Sequence, residues 1–134
     1  MLIGGLAALG WSAALVYYDV TRLRLPDWLT LPAVCLASAA ILAWPVGLWG
    51  LAWPAAYLAS GKGVGGGDVK LALPLGVVCA AVGGAGAVVA VVLLSSLFTL
   101  LGALVTRRAV LAHGPSMLVA AWLVALYGLC GPDL

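Results

Sequence analysis

Charged residues are scarce in this chain: only 7% of its 134 residues are Asp, Glu, Lys or Arg, whereas 66% are hydrophobic. Soluble domains carry about 25% charged residues, so the composition excludes a water-soluble globular domain. The same hydrophobicity, with a mean hydropathy of +1.24, excludes an intrinsically disordered chain. We therefore expect an integral membrane protein, in which each of the six basic and four acidic residues needs its own explanation.

Three further features are missing from the sequence. The longest basic run is the pair Arg107-Arg108, with no interleaved aromatic residues, so no nucleic-acid partner is expected. The cysteines form no Cys-x-x-Cys pair, which argues against a zinc site or a redox couple; they are Cys35, Cys79 and Cys130. The first apolar segment lacks the basic region of a secretory signal peptide and is interpreted as retained. Residues 1–134 are predicted to form a single membrane domain.

The rest of the sequence consists of long apolar stretches. A hydrocarbon core about 30 Å thick requires about 20 apolar residues per helix. The charges, prolines and glycine clusters divide the chain into six segments, at residues 2–18, 28–44, 47–59, 69–82, 86–105 and 112–129. The third and fourth are short for full spans, and a re-entrant pair is the alternative for them. The predicted fold class is an all-α polytopic membrane protein with about six transmembrane helices.

The basic residues predict an orientation for these segments. All six fall in or beside the connections between segments 1 and 2, 3 and 4, and 5 and 6; they are Arg22, Arg24, Lys62, Lys70, Arg107 and Arg108. The remaining connections and the C-terminal tail contain no Lys or Arg. By the positive-inside rule the basic side faces the cytoplasm, so both termini are predicted outside. Membrane lipids are the expected surroundings.

Three of the four acidic residues lie near the ends of predicted segments, and the fourth lies in the tail. Asp133, in the tail, is interpreted as a solvated end residue. Asp27 precedes an apolar run, which predicts that it caps the second helix. Asp19 ends the first segment, where the helix dipole disfavours an anion. A salt bridge to Arg22 or Arg24 and a functional role are both open for Asp19.

Asp68 closes a glycine-rich connection that reads GKGVGGGD at residues 61–68. It is interpreted either as a helix N-cap or as a functional residue, because so many glycines would let another backbone approach closely. Asp19 and Asp68 end and begin their segments on the same predicted side of the membrane. Two carboxyl groups at one depth can share a proton, as in aspartic proteases. The dipoles of these two helices alone favour Asp68 as the base and Asp19 as the acid.

The motifs around both aspartates resemble those of the type IV prepilin peptidases, which are membrane aspartic proteases of the GxGD group. Residues 19–30 read DVTRLRLPDWLT, similar to the family's Asp followed by a basic, Leu-Pro-Asn/Asp and Leu-Thr stretch. Residues 65–71 read GGGDVKL, similar to Gly-x-Gly-Asp-x-Lys-Leu. Gly114 and Pro115 resemble a third, Pro-Phe/Tyr-Gly-Pro stretch. His113 stands where the family usually has an aromatic residue, and it is interpreted as an interfacial loop residue.

The resemblance covers nearly the whole chain and implies that Asp19 and Asp68 are the catalytic pair. It implies cleavage of the short basic leader of a type IV pilin-like precursor, at the cytoplasmic face of a bacterial inner membrane, without a metal or organic cofactor. Larger members carry a zinc-binding insert that this sequence lacks. No N-methyltransferase activity is therefore expected, as in the short members that serve tight-adherence pili. The expected substrate-binding or site-supporting residues lie in the two motifs: Arg24, Pro26, Gly65, Gly67 and Lys70.

Two other classes of function are open on the sequence alone. In a small transporter or channel subunit, the same aspartates would carry protons or bind a cation. In a non-catalytic membrane scaffold, they would cap helices or pair with arginines.

Overall fold

A computed structural model describes residues 2–61, 63–108 and 111–131 of the chain, and these ranges are helical, with no strand. The elements are α1 (Leu2–Arg22), α2 (Asp27–Ala43), a 3₁₀ segment (Pro45–Leu51), α3 (Ala52–Ser60), α4 (Gly66–Thr106) and α5 (Gly114–Cys130). The all-α prediction is confirmed. The predictions for Lys62 and Asp133 concern residues outside the described ranges.

Helix α4 is interrupted where the sequence predicts a connection between two segments. Gly83 and Gly84 have non-helical backbone angles, and Gly84 has a φ of 60°, a conformation that glycine adopts without steric cost. A straight helix of 41 residues would be about 60 Å long, twice the hydrocarbon thickness of a bilayer. The break therefore divides α4 into two parts, each of about the length of one membrane span.

Two of the described helices are long and apolar enough to cross a membrane, Ile3–Arg22 and Gly66–Thr106. Helices α2 and α5 are also apolar, but each has only 17 residues. The outer faces of the helices carry many large exposed hydrophobic side chains, such as Ile3, Leu42 and Val105. In water such a surface would associate or aggregate. The exposure pattern therefore favours lipid surroundings, while the number of spans stays a prediction.

The short third segment differs from the predicted helix. It starts as the 3₁₀ segment and continues as α3. Because a 3₁₀ helix rises about 2.0 Å per residue, the two pieces together cover up to about 28 Å. Gly50 of the 3₁₀ segment and Gly76 of α4 lie so close that a Cβ at either would overlap the backbone of the other. Both parts of the third segment pack against α4.

The buried core lies between α4 and the elements packed on it. Its large members include Leu15 of α1, Trp53 of α3, Leu71 of α4 and Met117 of α5, all fully buried. Helix α4 contacts α2, the 3₁₀ segment, α3 and α5, whereas α1 packs mainly on α5. This packing brings the C-terminal end of α1, the start of α4 and the start of α5 into one region.

Candidate active site

The end of α1, the loop that follows it and the start of α4 enclose a cavity of about 380 Å³. Both predicted catalytic residues, Asp19 and Asp68, line it. The other residues that line it are Leu23, Arg24, Leu25, Gly65, Gly66 and Gly67. Three of the predicted supporting residues, Arg24, Gly65 and Gly67, are therefore at the cavity. Pro26 and Lys70 do not line it.

Asp19 is held by a helix that is distant in sequence. Its side chain is 5% exposed, and its Oδ2 accepts a hydrogen bond of 2.8 Å from the backbone N–H of Gly114, the first residue of α5. The first N–H groups of a helix lack intrahelical partners and carry a partial positive charge. The start of α5 therefore offsets the unfavourable dipole of α1 at Asp19.

The alternative of a salt bridge to Asp19 is not realised. Across residues 2–61, 63–108 and 111–131, no basic side chain forms an ion pair with it. Arg22 instead lies over the ring of Tyr18, with the guanidinium carbon 5.4 Å from the ring centroid. Arg24 is exposed at the cavity. The buried carboxyl group of Asp19 thus relies on the Gly114 N–H, a contact that local sequence reasoning does not identify.

Gly114 is glycine for a steric reason. A Cβ built at this position would lie 2.6 Å from Oδ2 of Asp19 and 3.2 Å from its Cγ. Both are shorter than ordinary van der Waals contacts, so any larger residue would push the carboxyl group away from the N–H. The third motif therefore contributes to the site through a backbone donor and through the absence of a side chain.

Asp68 lies in the first turn of α4, whose N-cap is Gly65. The interpretation of Asp68 as the N-cap is therefore wrong, because the helix starts at Gly66, before the aspartate. The side chain of Asp68 is half-buried. Burial raises its pKa to about 6, and the charge of Asp19 adds to this increase. Two carboxyl groups whose charges interact favour a state in which the pair holds one proton.

Close packing of the loop on α4 brings the two aspartates together. Leu25, in the loop after α1, is 8% exposed. Its Cβ would lie 2.9 Å from a Cβ built at Gly67, so the loop rests directly on the first turn of α4. Gly67 is thus required for this approach. A Cβ at Gly65 would meet only the carboxyl group of Asp68, at an ordinary 3.4 Å from Oδ2.

Asp27 of α2 and Lys70 of α4 form a contact away from the cavity. Pro26 occupies the N-cap position of α2, and Asp27 is the first helical residue. The predicted capping role of Asp27 is therefore wrong. Its Oδ1 lies 2.6 Å from the Nζ of Lys70, and the two side chains are 63% and 38% exposed. The Lys70 ammonium group is thus paired with Asp27 and does not contact the cavity.

His113 lies deeper in the molecule than the predicted interfacial loop position. It is the N-cap residue of α5, and both ring nitrogens have partners. Nε2 is 2.6 Å from the Tyr57 hydroxyl, and Nδ1 is 2.6 Å from the Thr99 hydroxyl. Burial lowers the pKa of His113, while the charge of Asp19 acts in the opposite direction. Its position directly before Gly114 was the sequence signal for a role at the site.

Metal ligation has no basis in the part of the chain that the structure describes. No group of three or more His, Cys, Asp or Glu side chains is positioned there to hold a metal ion. The cysteines are free, with Cys79 buried and the other two exposed. The chemistry that this arrangement can perform is therefore proton transfer by two carboxyl groups beside an open cavity.

The chain was compared with protein families, curated proteins and solved structures. No curated protein and no solved structure matches the chain. The model of the type IV leader peptidase family matches residues 6–129, which is most of the sequence. The motifs at Asp19 and Asp68 and the match over nearly the full length therefore agree, and the chain belongs to the type IV leader peptidase family.

Proposed function

We propose that the protein is a membrane aspartic endopeptidase that removes the leader of type IV pilin-like precursors at the cytoplasmic face of a bacterial inner membrane. The observation that carries this proposal is that Asp19 and Asp68, from the two family motifs, line one cavity. Membership of a leader peptidase family supports the class of reaction.

The location of the reaction follows from charge and helix order. In the six-span arrangement, both aspartates lie at the side that carries the basic connections, which include Arg22 and Arg24. The positive-inside rule assigns that side to the cytoplasm. The break at Gly83 and Gly84 supports treating α4 as two spans, as this arrangement requires. A leader in the cytoplasm then reaches the cavity without crossing the membrane.

The surroundings of the two aspartates suggest a division of labour. Burial raises the pKa of Asp19, but the N–H of Gly114 acts against this increase and stabilises a negative charge on Oδ2, so we assign Asp19 as the base that takes a proton from water. Burial and, after it, the charge of Asp19 raise the pKa of Asp68 to about 6, so Asp68 keeps the shared proton and donates it as the peptide bond breaks. This reverses the assignment predicted from α1 and α4 alone, because α5 adds the N–H donor. The pair titrates as a unit.

The substrate is a short basic leader ahead of a hydrophobic helix. Gly65, Gly66 and Gly67 line the cavity, and their small size would let an extended segment lie close to the aspartates. The reaction adds water across one peptide bond, releasing a leader carboxylate and the amine of the mature chain. No metal, organic cofactor or methyl transfer takes part in this proposal.

Leader removal tests the proposal directly. The purified protein in lipid nanodiscs is incubated with a synthetic precursor that has a short basic leader ahead of a hydrophobic helix. Wild type is expected to produce the shorter product, and Asp19→Asn and Asp68→Asn are expected to produce none. Asp27→Asn is the matched control, because it removes an exposed carboxylate outside the cavity. Full cleavage by both Asp19→Asn and Asp68→Asn would contradict the mechanism.

A further inference from the structure

A chain of hydrogen bonds through His113 links α3, α4 and α5. On one side, Tyr57 of α3 places its hydroxyl 2.6 Å from Nε2. On the other, Thr99 of α4 places its hydroxyl 2.6 Å from Nδ1. The same Thr99 hydroxyl lies 3.0 Å from the backbone carbonyl of Ser95. The imidazole is therefore held between two helices while its backbone starts a third.

The Thr99 hydroxyl determines which nitrogen of His113 carries the proton. A hydroxyl has one hydrogen, and the Ser95 carbonyl can only accept, so Thr99 donates to that carbonyl. Toward Nδ1, Thr99 then acts as the acceptor, which requires a hydrogen on Nδ1. The Nε2 lone pair in turn accepts the Tyr57 O–H. The neutral Nδ1–H tautomer satisfies both short contacts.

The orientation of His113 controls a backbone donor at the site. His113 is the N-cap of α5, and its carbonyl accepts the N–H of Met117 at 3.1 Å. The residue after His113 is Gly114, whose N–H has no partner within the helix. This N–H is directed at Asp19 instead. The direction of the Gly114 N–H depends on the position of the N-cap residue, His113. The side chain of His113 is hydrogen-bonded to α3 and α4.

We infer that His113, fixed as the Nδ1–H tautomer by Tyr57 and Thr99, is a positioning residue that aims the Gly114 N–H at Asp19. The inference rests on the proposed function for its catalytic consequence, whereas the tautomer follows from the hydrogen bonds alone. A phenylalanine at this position would keep an aromatic ring but lose both hydrogen bonds. The two hydrogen bonds of His113 thus hold the start of α5 against α3 and α4.

The tautomer is measurable directly because the sequence contains a single histidine. Nitrogen-15 labelling of histidine therefore gives one imidazole, and its two nitrogen shifts at pH 7.5 report which one bears hydrogen. We expect a protonated Nδ1 and an unprotonated Nε2 in wild type. We also expect the Nδ1 resonance to move in Thr99→Val. A protonated Nε2 in wild type would overturn the assignment.

Kinetics at Thr99 separate positioning from packing. Thr99→Val keeps the side-chain shape but removes the hydroxyl, whereas Thr99→Ser removes the methyl group and keeps the hydroxyl. We expect Thr99→Val to lower kcat about tenfold with KM within about twofold. Thr99→Ser, which keeps the hydroxyl, should have a kcat close to that of wild type. Thr106→Val is the matched control, because Thr106 makes the same hydrogen bond to the carbonyl four residues earlier on an exposed face of α4.

A second variant keeps the inference testable if Thr99→Val folds poorly. Tyr57→Phe removes the hydroxyl that contacts Nε2 of His113. In the double variant with Thr99→Val, we expect the loss of kcat to be smaller than the product of the two single losses, because both hydroxyls hold the same ring. Wild-type kcat in Tyr57→Phe and Thr99→Val, with a loss in Thr99→Ser, would overturn the positioning role while leaving the peptidase proposal intact. Failure of wild type to cleave the precursor would instead overturn the proposed function.

Discussion

Substitution of Gly114 by alanine should lower kcat strongly with little effect on substrate binding. The new Cβ would lie 2.6 Å from Oδ2 of Asp19. To reach an ordinary contact distance of 3.4 Å between this Cβ and Oδ2, the carboxyl group must move by about 0.8 Å. The hydrogen bond from the Gly114 N–H, now 2.8 Å, would then exceed the usual range for N–H donors.

The expected loss follows from what that hydrogen bond does. A shift of about 1 Å in a catalytic group costs about 10² in rate. We expect Gly114→Ala to lower kcat about 10²-fold, equivalent to about 2.7 kcal/mol. KM should stay within about twofold, since Gly114 is not among the residues that line the cavity.

The assay is the initial rate of leader removal from the synthetic precursor in nanodiscs, measured over a range of precursor concentrations. Gly86→Ala is the matched control, because a Cβ at Gly86 of α4 would meet nothing within 4 Å. A wild-type kcat in Gly114→Ala would refute the argument that this N–H holds Asp19. A large rise in KM with unchanged kcat would also refute it.

Three other outcomes follow from the structure. Gly67→Ala would place a Cβ 2.9 Å from that of Leu25, and we expect a loss of about 1–3 kcal/mol in the free energy of unfolding, measured by thermal denaturation. Lys70→Met breaks an exposed ion pair with Asp27, so stability should fall by less than about 1 kcal/mol and cleavage should change less than about twofold. Because burial lowers the pKa of His113 from 6.5, the unfolded chain binds its proton first. The contribution of His113 to stability should therefore be lost progressively as the pH falls below 6.5 and through the lower pKa of the folded state, and His113→Phe should lack this dependence.

Each of these outcomes has a clear contrary result. An unchanged melting temperature in Gly67→Ala would mean that the loop does not rest on α4 as described. Loss of cleavage in Lys70→Met, with normal stability, would place Lys70 at the dyad. Identical melting curves against pH for wild type and His113→Phe would contradict a buried, neutral histidine.

The local pattern was sufficient to predict much of the fold and to propose Asp19 and Asp68 as the catalytic pair. Apolar segments separated by glycines and prolines predicted an all-α chain and the break at Gly83 and Gly84, because backbone breaks depend on residues at the break itself. Asp19 and Asp68 stood out because a membrane chain with so few charges rarely places acids at helix ends without a partner. Their motifs then identified the family.

Local reasoning failed where the partner of a side chain is distant in sequence. Asp27 was interpreted as a cap from its neighbours, but it pairs with Lys70, 43 residues away. The N-cap alternative for Asp68 fails because the helix starts at Gly66 and already includes two of the glycines before the aspartate. Nothing near His113 in the sequence indicates that Tyr57 and Thr99 would bind both of its ring nitrogens.

The sequence by itself determined the helical class and the approximate positions of the segments, and it was enough to propose the two aspartates, because hydrophobicity, glycine conformation and motif spacing are properties of adjacent residues. Only the tertiary structure decided how Asp19 is stabilised, since its hydrogen-bond donor, Gly114, lies 95 residues away. The physical reason is that a helix terminus has unpaired N–H groups whatever its sequence. Which carboxylate they meet is set by how α5 packs against α1.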